Sequence, residues 1–143
     1  MFTNITWLFF DVGSTLIDEQ IAYKHRLQDI AEAANTTYQK VYDTAIQFYK
    51  QNKKGDLETA KQFSVPLPKW HTEDEILYPD AAQCLKILSR KYKIGIIANQ
   101  ELGTKDRLQQ HGILQYIDLV IASAEEGIAK PDEKIFKIAL ERA

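Results

Sequence analysis

The sequence predicts an α/β fold, a parallel sheet flanked by helices with a helical module inserted after the first strand. Three observations carry that prediction. Trp7-Leu8-Phe9-Phe10 is an unbroken apolar run ending on Asp11, and it reads as a strand buried on both faces. Two further apolar runs, Ile94–Ala98 and Ile117–Ile121, alternate with helical stretches in the second half, the pattern of βαβ units. From about 18 to 77 the period is helical and no convincing strand is visible.

After the first run the chain turns through Val12-Gly13-Ser14-Thr15, small residues that leave backbone N–H groups free. An acid at the carboxyl end of a parallel strand, beside such a turn, suits phosphate chemistry. Ligands of open α/β sheets bind in that crevice, and exposed N–H groups form an anion nest. An ordinary strand followed by a glycine turn would read the same way, so the remaining chain decides.

Tyr23, Leu27, Ile30, Ala31 and Ala34 share one helical face in the segment from Asp18 to Ala34. Asn35-Thr36-Thr37 breaks that pattern and caps a second helix, striped with Tyr38, Val41, Tyr42, Ala45, Phe48 and Tyr49 and stopping near Gly55. The stripe reads as core between paired helices. A shorter helix covers Asp56 to Phe63, and Val65-Pro66-Leu67-Pro68 forces extended backbone. Thr72 and Glu75 have the spacing of a capping box before Ile76 and Leu77.

Pro79 and Asp80 open a helix with Ala81, Ala82, Leu85, Leu88 and Tyr92 on its apolar face. The second strand follows and ends at Asn99-Gln100. A helix from Thr104 to His111 closes on Gly112, a suitable residue just past a helix end. After the third strand, Lys130-Pro131-Asp132 precedes a last helix that places Ile135, Phe136, Ala139 and Leu140 on its buried side.

Size and composition narrow the function classes. At 143 residues, 45% hydrophobic and 27% charged, the chain suits one domain or a small core carrying an insertion. The net charge of −2 is interspersed, so no basic run would track nucleic acid. The single cysteine, Cys84, excludes a disulfide framework and reads as a buried structural thiol. With no basic leader, no long apolar h-region and no spanning segment, a soluble cytoplasmic protein with no membrane partner is expected.

Three ordered motifs, FFDVGSTL, IGIIANQ and GIAKPDEKIF, resemble the haloacid dehalogenase (HAD) superfamily of hydrolases, which are mostly phosphatases. The match extends beyond the motifs through LYPDAAQCLKILSRKYKIGIIANQ and ASAEEGIAKPDEKIFKIALERA. The resemblance implies a Rossmann-like core at 1–17 and 78–143 and a C1-type helical cap at 18–77, placed as a lid over Asp11. It implies that Asp11 is the nucleophile, passing through an aspartyl-phosphate on a small phosphorylated substrate. Gly13 would lend its carbonyl to Mg²⁺, which Asp11 also ligates. Lys130 would hold nucleophile and phosphate together. Val12, Gly13, Ala98 and Asn99 would line the phosphate, and the Thr15 hydroxyl would steady the loop. Asn99 and Thr15 read equally well as turn residues.

Three departures from the family pattern stand out. The position of the second Asp, which protonates the leaving group and later activates water, is Gly13. General acid–base help is worth on the order of 10² to 10⁴ in rate. Asp18, Glu19 or His25 are candidate substitutes. The dehalogenase branch carries a bulky aromatic there, so Gly13 does not argue for dehalogenation. Second, Ala98 replaces a motif hydroxyl. Third, the family's acidic pair that completes the Mg²⁺ site normally follows on a further strand; the only acids after Lys130, Asp132, Glu133 and Glu141, fall within the last predicted helix, so an incomplete metal site is expected in this chain. A fragment of a longer protein is therefore expected, with the first strand left as an open edge available for self-association. The competing readings are a catalytically weak relative that binds a phosphorylated ligand or a protein partner, and an aspartyl-phosphate receiver domain, which leaves the helical insertion unexplained.

Overall fold

The computed structural model describes residues 3–143. Strand β1 (Trp7–Phe10) and the short β2 (Ile17–Asp18) precede three helices, α1 (Gln20–Ala33), α2 (Tyr38–Lys50) and α3 (Gly55–Gln62). A 3-10 turn at Thr72–Asp74 leads into β3 (Ile76–Leu77), followed by α4 (Ala81–Leu88), β4 (Lys93–Ala98) and α5 (Thr104–Gln110). A second 3-10 turn, Leu114–Tyr116, then leads to β5 (Leu119–Ala122), α6 (Ser123–Glu126) and α7 (Glu133–Arg142). The chain forms two compact units. One gathers the chain up to Asp18 with Ile76–Ala143, and the other is Glu19–Glu75.

The first unit is α/β. Its three-stranded sheet has the order β1-β4-β5 and is parallel throughout, with Phe9 opposite Gly95 and Ala98 opposite Ala122. Alternation along the strands gives the sheet two apolar faces. Ile94, Ile96 and Val120 meet Leu85 of α4 and Leu108 of α5 on one side. Ile97 and Ile121 meet Ile135 and Ala139 of α7 on the other. Helix α5 closes as expected at Gly112, whose φ of +73° lets the Ile113 N–H reach the Leu108 carbonyl at 3.1 Å.

Five expectations are corrected here. Strand β1 is half-buried rather than fully buried, because it lies at the edge of the sheet. Its Leu8 and Phe10 pack toward α4 and its Phe9 toward α7. Cys84 is exposed, one position off the buried line of Ala81 and Leu85. On α7, Phe136 and Leu140 are 42% and 71% exposed, so the buried face is the narrower line of Ile135 and Ala139. Finally, Ile17–Asp18 and Ile76–Leu77 form a two-stranded antiparallel ribbon where no strand was expected. Thr72 opens only the 3-10 turn, with no side-chain cap, and the Glu75 carboxylate accepts the Trp70 indole N–H at 2.6 Å.

The second unit is helical. Leu27, Ile30 and Ala31 of α1 pack with Val41 and Ala45 of α2 and Ala60 of α3. Thr37 caps α2, accepting from the Lys40 N–H, and α2 ends at Lys50, so Gly55 opens α3 rather than closing α2. Beside the apolar cluster lies a buried ion pair, Arg26 Nη1 to Asp56 Oδ2 at 2.8 Å, with the guanidinium 4.9 Å over the Trp70 ring. Burial next to the Glu19 and Asp56 carboxylates pushes the Tyr23 phenol up to about 12. Tyr49 moves in the same direction, again chiefly by burial. Among the described residues no helix is long and apolar enough to cross a membrane.

Candidate active site at the carboxyl ends of the strands

Because the sheet is parallel, all three strands end on one edge, and Asp11, Asn99 and Ser123 directly follow them. The loop before α7 returns Lys130 to the same edge. Its Nζ lies 3.1 Å from Asp11 Oδ1, the two side chains being 25% and 45% exposed. The Val12 N–H donates to the same oxygen at 2.9 Å. Asp11 Oδ2 has no partner among the described residues. Asp11 and Lys130 are thus paired through Oδ1, which leaves Oδ2 as the uncommitted carboxylate oxygen among the described residues.

The turn after Asp11 is held chiefly by one carbonyl. Val12 C=O accepts the N–H groups of Thr15, Leu16 and Ile17 at 3.2, 2.9 and 3.1 Å, and Ser14 N–H donates to Ile17 C=O at 2.8 Å. Val12 itself is buried in the core. Ser14 rather than Gly13 takes the left-handed conformation, at φ +58°. Neither backbone group of Gly13, nor the Thr15 hydroxyl, makes a hydrogen bond among the described residues. Support for the loop thus comes from Val12 C=O, and the Gly13 amide group is open on both sides.

Asn99 holds Lys130 in place. Its side-chain amide donates to Lys130 C=O at 3.0 Å and accepts the Lys130 N–H at 2.7 Å. The primary amide completes a backbone-like pair across the two loops. Sequence reasoning treated Asn99 as a phosphate donor or a turn residue and did not foresee this. Next to it, Gln100 C=O accepts the Ala124 N–H and the Ser123 hydroxyl at 3.1 and 3.2 Å. Gln100 Oε1 accepts from Arg107 at 2.5 Å. Ala98 is fully buried opposite Ala122 and brings no side-chain donor. Of the candidate substitutes for the second acid, His25 is bonded to Asp74 at 2.7 Å and stacked on His71.

The oxygens at this edge have the chemistry of a hard-cation site. Asp11 Oδ2 and the Gly13 carbonyl are uncommitted oxygen donors two residues apart, and Mg²⁺ is held by one or two carboxylates with water and substrate oxygens completing its shell. The Lys130 ammonium and the Gly13 N–H are donors of the kind that an anion with several oxygens takes.

The family model for haloacid dehalogenase-like hydrolases matches residues 5–143. A pyrimidine 5'-nucleotidase of Escherichia coli, YjjG, is 42% identical over 66 residues, which is 46% of this chain and 29% of that protein. The match thus spans well under two thirds of that relative. Among solved structures, the HAD hydrolase YfnB of Bacillus subtilis, bound to magnesium, superposes with a TM-score of 0.67 at 19% identity. That superposition covers 99% of this chain and 73% of YfnB. A HAD phosphatase from Thermococcus onnurineus gives 0.68 at 20% identity, covering 96% and 71%. At these identities the superpositions establish the fold.

Proposed function

Since the chain belongs to the haloacid dehalogenase-like hydrolases, we propose that it hydrolyses a small phosphomonoester through Asp11. The observation that carries this reading is the Asp11–Lys130 pair, 3.1 Å apart at the carboxyl edge of the parallel sheet. Lys130 draws both the carboxylate and an incoming phosphoryl group to one point, and Asn99 fixes the backbone from which Lys130 reaches. The nucleotidase relative makes pyrimidine nucleoside monophosphates a natural substrate class to try.

In this mechanism one carboxylate oxygen of Asp11 attacks phosphorus as the bond to the leaving oxygen breaks. The departing oxygen takes a proton from solvent, because Gly13 has no side chain to give one. Water then attacks the phosphorus of the acyl phosphate and loses its proton to solvent. Inorganic phosphate leaves, and the carboxylate is restored. Mg²⁺, held by Asp11 and the Gly13 carbonyl, would offset charge on the phosphoryl oxygens.

The test is phosphate release from an aryl phosphate with and without Mg²⁺, beside Asp11→Asn. Turnover that needs Mg²⁺ and disappears in Asp11→Asn is expected, and turnover that survives that substitution overturns the mechanism. Leaving groups give a second readout. A phenoxide departs without an acid and an alkoxide does not, so a nucleoside monophosphate should turn over on the order of 10² to 10⁴ more slowly. Gly13 and Ala98 favour one other reading, a phosphate-ligand binder with little turnover. Saturable phosphate binding with no Asp11-dependent release would select it.

A further inference from the structure

The helical unit holds a side-chain cluster that the hydrolytic reading does not use. His25 and His71 stack face to face, their ring centroids 3.5 Å apart and their planes 5° from parallel. Both Nε2 atoms look toward one carboxylate. His71 Nε2 is 2.7 Å from Asp29 Oδ2, and His25 Nε2 is 3.7 Å from Asp29 Oδ1. Both Nδ1 atoms are held from behind by other carboxylates, His25 by Asp74 at 2.7 Å and His71 by Glu73 at 3.0 Å.

Proton counting makes this arrangement unusual. A neutral imidazole has one N–H and one lone pair, yet His71 faces a carboxylate with each nitrogen. One of those contacts sets a lone pair against an anion unless a positive charge is present. Three carboxylates around two imidazoles leave the cluster short of cation.

We infer that His25, His71 and Asp29 form a binding site for a divalent transition ion, zinc in the first place, within the helical unit. The donor atoms of the three residues all lie within 4.8 Å of one another. Two imidazole nitrogens and a carboxylate are the donor types zinc takes in three-ligand sites, with water in the fourth position. Asp74 and Glu73 supply the remaining feature of such sites, a carboxylate on the far nitrogen that fixes the tautomer and raises the basicity of the ligand. His25 and Asp29 stand one helical turn apart on α1, so a single rigid element presents two of the three ligands. The rings must open from their stack for the two lone pairs to converge, and His25, 41% exposed, has room to do so.

The test is zinc titration of the chain by calorimetry, with Co²⁺ visible absorption as a second signature and far-UV circular dichroism to confirm folding. One ion per chain is expected, lost in His71→Ala and in Asp29→Asn. Asp74→Asn should keep the site but weaken it about tenfold or more, the usual effect of removing a carboxylate behind a ligating histidine. Absence of zinc binding overturns the inference, as does undiminished binding in a folded His71→Ala or Asp29→Asn chain. Should both unfold, His25→Gln decides, since undiminished binding there overturns it equally. None of these readouts involves Asp11, so the site stands or falls separately from the phosphatase reading.

Discussion

Asp118 and Ile94 are joined twice. The Asp118 N–H donates to Ile94 C=O at 2.7 Å, and the Ile94 N–H donates back to Asp118 Oδ2 at 2.9 Å. The residue before β5 thus adds one rung to the β4–β5 ladder with its side chain, and Lys93 bonds the other carboxylate oxygen at 3.0 Å. The Ile94 N–H, with Lys93 adding to it, holds the Asp118 carboxyl below the usual carboxylate range.

That lowering fixes the sign of a pH effect. A carboxyl with a depressed folded pKa stabilises the fold above its unfolded pKa of about 4, and the contribution is lost as pH falls through the folded value. Asp118→Ala should cost about 1 kcal/mol at neutral pH, discounted for partial exposure. The difference from wild type should vanish in strong acid. Urea denaturation of both chains across the acid range measures it.

Asn99→Ala should act on turnover rather than on folding. It removes both bonds to the Lys130 backbone and leaves the ammonium and Asp11 chemically intact. Two modest hydrogen bonds to a loop, at about 1 kcal/mol each, correspond to a loss of up to about thirtyfold in kcat/KM. The melting temperature should change little. Steady-state kinetics on an aryl phosphate beside a thermal melt separates the two effects.

Gly95 is required by Phe9. A Cβ at Gly95 would lie 2.3 and 2.4 Å from two carbons of the Phe9 ring, on the paired strand. Gly95→Ala should therefore destabilise by about 1 to 3 kcal/mol, the range for forced overpacking. Combining it with Phe9→Leu should cost less than the sum of the single changes, and a double-mutant cycle in urea measures that coupling.

Arg26→Ala should be the most damaging single change in the helical unit. Arg26 and Asp56 are only 8% and 13% exposed, and removing one member leaves the other as a buried, uncompensated charge. The cost expected is about 3 to 5 kcal/mol. An Arg26→Met, Asp56→Leu pair should recover much of it. Equilibrium unfolding of both variants is the measurement.

Legibility of the sequence followed the physics of each segment. Strand β4 read correctly because Ile94, Ile96 and Ile97 are buried on both faces of an interior strand. The same reasoning over-buried β1, since an apolar run does not say whether a neighbour exists on its far side. Two-residue strands such as Ile17–Asp18 are too short to show any period. On α7 the residue types marked a wider face than the sheet covers, hence exposed Phe136 and Leu140. The Asp11–Lys130 pair was legible only through the family motifs, as 119 positions separate the two residues. The bond from Asn99 to Lys130 carries no such signal. His25 and Asp29 stand at helical spacing but read only as polar residues of α1, and nothing in the sequence announces that His71 stacks on the first.

The ribbon of β2 and β3 has a consequence for exchange of parts. Asp18 and Ile76 are direct partners across it, so the chain departs into the helical unit and returns at neighbouring backbone positions, about 5 Å apart for antiparallel partners. Along the chain, the pairing of β2 with β3 is that of a hairpin whose tip has been replaced by a folded body. A module of another size can be spliced at this doorway, or a short turn substituted for it, without re-registering any strand of the parallel sheet. Diversification can accumulate on one side of the ribbon while the edge that carries Asp11 stays fixed.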